Sequence, residues 1–423
     1  MIFEISLVMI FILIIGFYMA WNIGSNDLAN SMASSVGAKA VTLRNAVILG
    51  GILAFIGAVF VGSNVADTIR KGIIDPENVI FVENQSYLLY GAISALLGAS
   101  FWITIATWKE LPISTTHSIV GGMMGFGIAA GGLSIVDWGV VGKIVASWGI
   151  SPILGGVFAY FMFKIVLRFI LQSKDPIKST QNLGPIFVAI TFVIIASSVL
   201  LKTPLGTKLD FNLVELSITL IMIFIVSIII GRIVLTGFFA KKKKKKELNR
   251  VETYNIVEKI FSRLQLMTAC YVAFALGAND VANAIGPIAT AFSIETTGSV
   301  GAQVELPFFL LALGGIGIVI GMMTWGYRVI KTIGTKITYL TNTRGFSIEF
   351  GAATSVLLAS KLGMPVSTTH AVVGAVIGVG LAHGLQAIDL SIIKKIVVTW
   401  VVTVPIAAAT AGGLFLLLIS VFG

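Results

Sequence analysis

Long apolar runs, separated by short polar stretches, cover most of this sequence. Four of them carry no charged residue: Ile5–Gly24, Gly184–Leu201, Leu306–Tyr327 and Ile396–Gly423. A helix of about 20 such residues crosses a hydrocarbon core of about 30 Å. The pattern therefore predicts an all-α chain that crosses a membrane many times.

Hydropathy divides the chain into about twelve transmembrane segments, some of them re-entrant or broken. Seven precede a run of six lysines, Lys241–Lys246, and five follow it. The positive-inside rule places this run in the cytoplasm, so an odd number of preceding segments places the N-terminus outside. We predict a multi-pass cell-membrane protein with both termini outside. The segments are 2–24, 42–62, 86–107, 114–132, 138–170, 184–201, 211–239, 262–286, 306–330, 347–360, 367–384 and 391–422.

Composition narrows the class of protein. Of 423 residues, 57% are hydrophobic and 11% are charged, and the mean hydropathy is +0.99. A soluble protein of this length lacks the interior to bury so much apolar surface. The net charge of +10 includes the lysine run, which we interpret as a solvated loop near anionic lipid rather than a nucleic-acid site. The one cysteine, Cys270, excludes an intrachain disulfide and a thiolate metal cluster.

Two polar motifs occur twice. "GSNDLANS" at Gly24–Ser31 recurs as "GANDVANA" at Gly277–Ala284, and "LPISTTHSIVGG" at Leu111–Gly122 recurs as "MPVSTTHAVVGA" at Met364–Ala375, both 253 positions later. One shared spacing indicates a duplicated unit. We predict a first repeat over 1–170, an intervening part with the basic loop over 171–261, and a second repeat over 262–423. The segment count gives the copies opposite topology, which is typical of secondary transporters that bind their substrate near the membrane midplane.

The first motif places a carboxylate, Asp27 or Asp280, within or beside an apolar segment. A charge in a bilayer interior costs at least ~2.5–3.5 kcal/mol, so each must face protein or water. Asparagines four residues apart share a helix face near each aspartate, and carboxylate and amide oxygens suit a hard cation. An alternative is a helix-capping role at a segment end, but the repetition favours a binding site. The asparagines are Asn26, Asn30, Asn279 and Asn283.

The second motif, "STTH" after a proline, is typical of a helix start. Hydroxyls cap such a start, and its free N–H groups form an anion site. The glycine-broken runs that follow suit re-entrant helices lining a cavity, and the sequence leaves open whether 114–132 and 367–384 turn back. His117 and His370 have no nearby Cys or Glu, which favours a structural hydrogen bond over a metal site. Two buried carboxylates would repel an anion unless cations neutralised them, so the residues predict cation-dependent anion uptake.

Together, "GANDVANAIGP" and "PVSTTH", each echoed in the first copy, resemble the inorganic phosphate transporter (PiT) family of cation-coupled phosphate symporters. The resemblance implies a twelve-segment inverted-repeat transporter for inorganic phosphate, driven by sodium or, in some branches, by protons. It assigns the two aspartates, with Asn26 and Asn279, to cations. The segment "GFSIEFGAA" adds Glu349, although the first copy has Ala92 where relatives carry a glutamate. The residues expected to hold phosphate are Ser114, Thr115, Thr116, Ser367, Thr368 and Thr369.

We therefore predict sodium-coupled phosphate uptake by alternating access. The alternatives are proton-coupled transport of phosphate, of a metal–phosphate complex or of sulfate through the same architecture, or an anion channel. An enzyme is disfavoured because the sequence offers no asymmetric acid–base pair. No cofactor and no transition metal is expected. The expected partners are inorganic phosphate, sodium ions and membrane lipids, with a homodimer allowed and nucleic acid excluded.

Overall fold

A computed structural model describes residues 7–62, 73–75, 78–202, 209–240, 249–297, 307–361, 366–384 and 388–422. This part of the chain is helical, and its β-structure is limited to one isolated bridge between Ile74 and Val136. A π-turn covers Thr332–Lys336. The helices are α1 (Leu7–Gly37), α2 (Leu43–Val61), α3 (Val79–Glu83), α4 (Gln85–Trp108), α5 (Thr115–Gly131), α6 (Trp138–Val166), α7 (Pro176–Lys202), α8 (Leu213–Ala240), α9 (Arg250–Thr297), α10 (Phe308–Thr324), α11 (Tyr327–Lys331), α12 (Asn342–Lys361), α13 (Thr368–His383) and α14 (Leu390–Phe422).

The helices confirm an all-α membrane protein. Among the described residues, eight helices are long and apolar enough to cross a membrane, or nine if α10 and α11, bent by 53°, form one span. Helix α8 has an exposed apolar surface: Ile218, Ile229 and Ile233 are all more than half exposed, which suits a surface that contacts lipid. The predicted number of twelve spans is not confirmed.

Two helices run well past the ends that hydropathy predicted. The first segment was expected to end at Gly24, but α1 continues to Gly37, and α9 covers Arg250–Thr297 instead of 262–286. The polar motif does not end α1, because neighbouring helices bury the small residues from Gly24 to Ser35. Asp27 and Asp280 therefore lie inside long helices, and the helix-capping alternative is wrong for both.

Equivalent glycines in the two copies make equivalent contacts. A Cβ at Gly24 would lie 1.9 Å from the carbonyl oxygen of Ile318 on α10, and one at Gly277 would lie 1.9 Å from that of Ala54 on α2. Only glycine allows backbones to approach so closely, as at many helix contacts in membranes. Each motif-bearing helix thus packs on a helix from the other half of the chain.

Helices α4 and α5 form a hairpin. Gly91 on α4 contacts Phe126 on α5, and Gly122 lies against Ala95, so the two helices are antiparallel. The last residue of α5, Gly131, contacts Ile80, just before α4 begins. The end of α5 therefore lies beside the residues that precede α4.

The second copy has an equivalent hairpin, formed by α12 and α13. Gly380, near the end of α13, contacts Ile388, while the Asp389 N–H donates to the Ile337 carbonyl at 3.1 Å, shortly before α12 begins. Helix α13 has 16 residues, or about 24 Å, which is shorter than the hydrocarbon core. Segment 367–384 thus returns to the side from which α12 starts.

Candidate functional site

Four helices converge on one buried polar cluster. The middles of α1 and α9 supply Asp27 and Asp280, which are 1% and 3% exposed, and the first turns of α5 and α13 face them. Two motifs that are distant in sequence therefore meet, in both copies.

The Asp27 carboxylate accepts hydrogen bonds from both copies. Thr115 Oγ1 donates to its Oδ2 at 2.8 Å, and Asn30 Nδ2 donates to its Oδ1 at 2.8 Å. Thr369 Oγ1, from the second copy, lies 3.5 Å from Oδ1. Asn30 also donates to Thr369 Oγ1 at 2.8 Å, so one asparagine joins the two halves of the site.

Asp280 and Asn283 repeat part of this pattern. Thr368 hydrogen-bonds the Asp280 carboxylate, and Asn283 Nδ2 donates to Thr116 Oγ1 at 3.3 Å. These contacts involve the residues 253 positions from those around Asp27. The two carboxylates lie close enough to interact electrostatically. Two buried oxygens, Asp280 Oδ2 and Asn30 Oδ1, have no hydrogen-bond partner among the described residues, which leaves acceptors for a cation.

The starts of α5 and α13 supply hydrogen-bond donors. Ser114 Oγ caps α5 by accepting from the His117 N–H at 3.2 Å, and Ser367 Oγ caps α13 by accepting from the His370 N–H at 3.3 Å. Helix geometry leaves the first N–H groups of each helix without an intrahelical acceptor. Both helix starts therefore present donors and a partial positive charge to the same space. The N–H groups concerned are those of Thr115, Thr116, Thr368 and Thr369.

The structure directs Asn26 away from Asp27. Its Nδ2 donates to Thr107 Oγ1 at 2.9 Å and to the Leu111 carbonyl at 3.1 Å, while its Oδ1 accepts from the Ile113 N–H at 3.1 Å. The side chain thus satisfies the non-helical linker that precedes α5. Its counterpart Asn279 is half-buried, and the equivalent linker residues 362–365 lie outside the described residues.

Glu349 lies in a second buried cluster. Ser34 Oγ donates to its Oε1 at 2.5 Å, and Gln265 Nε2 donates to Ser34 Oγ at 3.1 Å. Glu349 Oε2 and Gln265 Oε1 are buried without a partner among the described residues. Ser34 follows Asp27 by seven residues on the same face of α1, so the clusters are about 10 Å apart along the helix.

Sequence reasoning missed Ser34 and Gln265. Ser34 could have been found, because it continues the helical spacing of Asp27 and Asn30 along α1. Gln265 gives no such signal, since only tertiary packing brings α9 beside Ser34. Asp27, Asn30, Asp280 and Asn283 do come together with the predicted phosphate residues, whereas Asn26 and Glu349 do not join that group.

The two histidines form the middle of a four-ring stack. His117 lies on Trp148, with ring centroids 3.8 Å apart, and His370 lies on Trp400 at 3.7 Å. The imidazoles meet each other edge to face at 4.5 Å. His370 Nδ1 donates to the Trp148 carbonyl at 3.1 Å, because a carbonyl oxygen can only accept. The expected structural hydrogen bond is thus present for His370, and the stack fixes the starts of α5 and α13 beside each other.

Comparisons with known proteins agree on one family. A model of the phosphate transporter family matches residues 23–411. A Pyrococcus horikoshii protein that carries the name phosphate permease is 49% identical over 97% of this chain and 97% of its own. The chloroplastic inorganic phosphate transporter 2-1 of Arabidopsis thaliana is 42% identical over 94% of this chain and 70% of its own. A solved structure of a sodium-dependent phosphate transporter superposes with a TM-score of 0.88 at 44% identity, covering 99% of this chain and 100% of that one.

Proposed function

Because this chain belongs to the phosphate transporter family, we propose that it carries inorganic phosphate inward together with sodium ions by alternating access. Membership makes the chain a transporter rather than an enzyme, and sodium is proposed because the similar solved structure is of a sodium-dependent transporter. The observation that carries the proposal is the convergence of two buried carboxylates with two helix starts, one of each from each copy. We interpret these copies as inverted repeats that share one site at the midplane.

Phosphate would lie between the starts of α5 and α13. The N–H groups and hydroxyls of Thr115, Thr116, Thr368 and Thr369 can donate to its oxygens, and both helix dipoles favour its charge. Ser114 and Ser367 support this site through their caps, because each hydroxyl already accepts from its own helix. The helix starts therefore bind the anion mainly through backbone donors that need no rearrangement.

Sodium ions would lie on the two aspartates. The amide oxygen Asn30 Oδ1 and the carboxylate oxygen Asp280 Oδ2 are buried without a partner among the described residues, and oxygens of these two kinds suit a hard cation. Unlike charges 4 Å apart attract by about 4 kcal/mol at an effective dielectric of about 20. Bound cations would therefore make phosphate binding favourable, and phosphate would favour the cations equally, which couples the two solutes.

Glu349 would hold a further cation outside the central site. The unpartnered oxygens Glu349 Oε2 and Gln265 Oε1 are both buried beside Ser34, and no basic side chain among the described residues forms a salt bridge with Glu349. A buried carboxylate without such a residue is strongly destabilising unless a cation or a proton accompanies it.

For Asn26 and Asn279, the contacts of Asn26 favour a supporting role over direct cation binding. In this role, Asn26 holds the linker before α5.

Orientation follows from the lysine run, which we propose lies in the cytoplasm with both termini outside the cell membrane. Lipid would surround the exposed apolar faces such as that of α8. A homodimer remains compatible with this arrangement.

The proposal is tested by phosphate uptake into proteoliposomes. We expect uphill uptake when an inward sodium gradient is imposed, and little uptake when a proton gradient replaces it. Uptake driven by protons alone would support the alternative coupling, and phosphate flux that never exceeds equilibrium would indicate a channel. Excess sulfate is the control for substrate choice: it should compete weakly. Failure of phosphate to enter under either gradient would contradict the proposed function.

A further inference from the structure

Glu110 has a backbone conformation that usually requires glycine. Its φ angle is 59°, in the left-handed region that costs an L-residue roughly 1–2 kcal/mol. The second copy has Gly363 at the equivalent position, 253 residues later. The first copy therefore keeps a carboxylate where the backbone favours glycine, which points to a use for that side chain.

The Glu110 region is tied to the other half of the chain. Lys336 Nζ lies 2.7 Å from Glu110 Oε2, and Thr332 Oγ1 donates to the Glu110 carbonyl at 2.8 Å. Arg328 Nη1 approaches the carbonyl of Trp108, the last residue of α4, at 3.4 Å. All three partners lie on α11 and its π-turn, whereas Glu110 follows α4. The hydrogen bond from Lys336 lowers the pKa of the Glu110 carboxyl, so the carboxylate is charged at neutral pH.

The linker after Glu110 leads directly to the phosphate-facing helix start. The Leu111 N–H donates to the Ala106 carbonyl at 2.9 Å, and the Ile113 N–H donates to Asn26 Oδ1 at 3.1 Å. Ser114, the cap of α5, is the next residue. The linker is thus held by Asn26 at one end and by Lys336, through Glu110, at the other.

We propose that Glu110 is a positioning residue of the central site: its ion pair with Lys336 fixes the linker, and through it the start of α5. This inference rests on the proposed function only in naming phosphate as the solute whose binding is affected. The Glu110–Lys336 pair is about one-third exposed, so solvent can separate it. Separation of the pair would let the start of α5 move and would weaken the binding of the anion.

The first test is a double-mutant cycle read out by uptake. Glu110→Gln, Lys336→Gln and the double variant should each raise the phosphate concentration for half-maximal uptake about two- to fivefold, the range that a partly exposed ion pair supports. Because the residues act through one pair, the double variant should match the single ones. Lys336→Arg, which keeps the charge, should stay near wild type. Additive effects, or no change in any variant, would overturn the proposal.

Glu110→Gly separates function from folding. It relieves the left-handed strain, so its melting temperature should equal or exceed that of Glu110→Gln, yet it should show the same weakened phosphate dependence. A Glu110→Gly variant that takes up phosphate like wild type would show that the carboxylate has no positioning role. Raising choline chloride at fixed sodium should shift wild type towards the variants and leave the variants unchanged, because salt screens the pair.

Hydrogen exchange tests the linker without relying on transport. The amides of Leu111 and Ile113 should exchange faster in Glu110→Gln, Lys336→Gln and the double variant than in wild type, by the same factor in all three. Equal exchange in wild type and variants would contradict the proposal even if the protein transports phosphate. Absence of wild-type uptake, by contrast, would contradict the proposed function and leave the exchange result decisive for the linker.

Discussion

The centre of the molecule repeats itself, while the regions on either side of it do not. Around the centre, the hydrogen bonds of Asn30 to Thr369 and of Asn283 to Thr116 are related by the 253-residue offset. The second polar cluster has no such twin. The same offset relates Gln265, Ser34 and Glu349 to three apolar residues, Ile12, Pro287 and Leu96.

This difference gives the site a direction. Ser34 lies towards the C-terminal end of α1, so on that side a second polar cluster follows the central one along the helix. On the other side, Ile12 and Leu96 are fully buried, and apolar side chains close the corresponding position. Under the alternating access proposed above, a symmetric centre would present the same ligands in both states, and unequal flanks would make its two openings unequal.

The largest effect should come from the aspartates of the symmetric centre. Asp27→Asn and Asp280→Asn should each abolish coupled uptake, because losing about 4 kcal/mol of attraction lowers binding roughly a thousandfold. Sodium-driven phosphate uptake into proteoliposomes measures the loss, and Asp389→Asn, an exposed cap of α14, is the control that should remain active. Unchanged transport by both central variants would refute the cation role. A large difference in uptake between the two variants would show that the two aspartates are not equivalent.

The asymmetric flank should give the next largest effect. Glu349→Gln keeps the shape of the side chain but removes its charge, so we expect the sodium concentration for half-maximal uptake to rise about tenfold, or about 1.4 kcal/mol. At saturating sodium, the phosphate dependence should be close to that of wild type. Leu96→Met, on the apolar counterpart, is the matched control and should not change the sodium dependence. An unaltered sodium dependence in Glu349→Gln would remove the proposed distinction between the flanks.

The two histidines should contribute unequally to the stability of the protein, and this effect should be smaller than the preceding ones. His370 donates to the Trp148 carbonyl, whereas the ring nitrogens of His117 have no partner among the described residues. His370→Phe should therefore destabilise the protein by about 1 kcal/mol more than His117→Phe, the net contribution of one hydrogen bond. Thermal unfolding in detergent measures this difference. Equal melting temperatures would mean that the hydrogen bond contributes nothing to stability.

The helix caps should give the smallest effects. Ser114→Ala and Ser367→Ala each remove a cap that contributes about 1 kcal/mol, so each should raise the half-saturating phosphate concentration by about fivefold or less. In uptake assays, the double variant should show a clearly higher half-saturating phosphate concentration than wild type. If that concentration does not move, the helix starts are not where phosphate binds.

The sequence predicted the parts of this site that depend on pattern. Hydropathy revealed the membrane class, and the paired motifs brought Asp27, Asp280 and the "STTH" helix starts into one proposal. It failed where packing decides the outcome. Helix α1 continues through Asp27 because small residues let other helices bury the polar turn, and no local signal places Gln265 beside Glu349 or Trp148 beside His117. The left-handed backbone of Glu110 was not predicted either, although the sequence does place Gly363 at the equivalent position of the second copy.

The most direct test of the central claim is a structure determined with sodium and phosphate bound. We expect tetrahedral density within hydrogen-bonding distance of Thr115, Thr116, Thr368 and Thr369, with cation density beside Asp27 and Asp280. Phosphate density distant from both helix starts, with the aspartates contacting no cation, would contradict it.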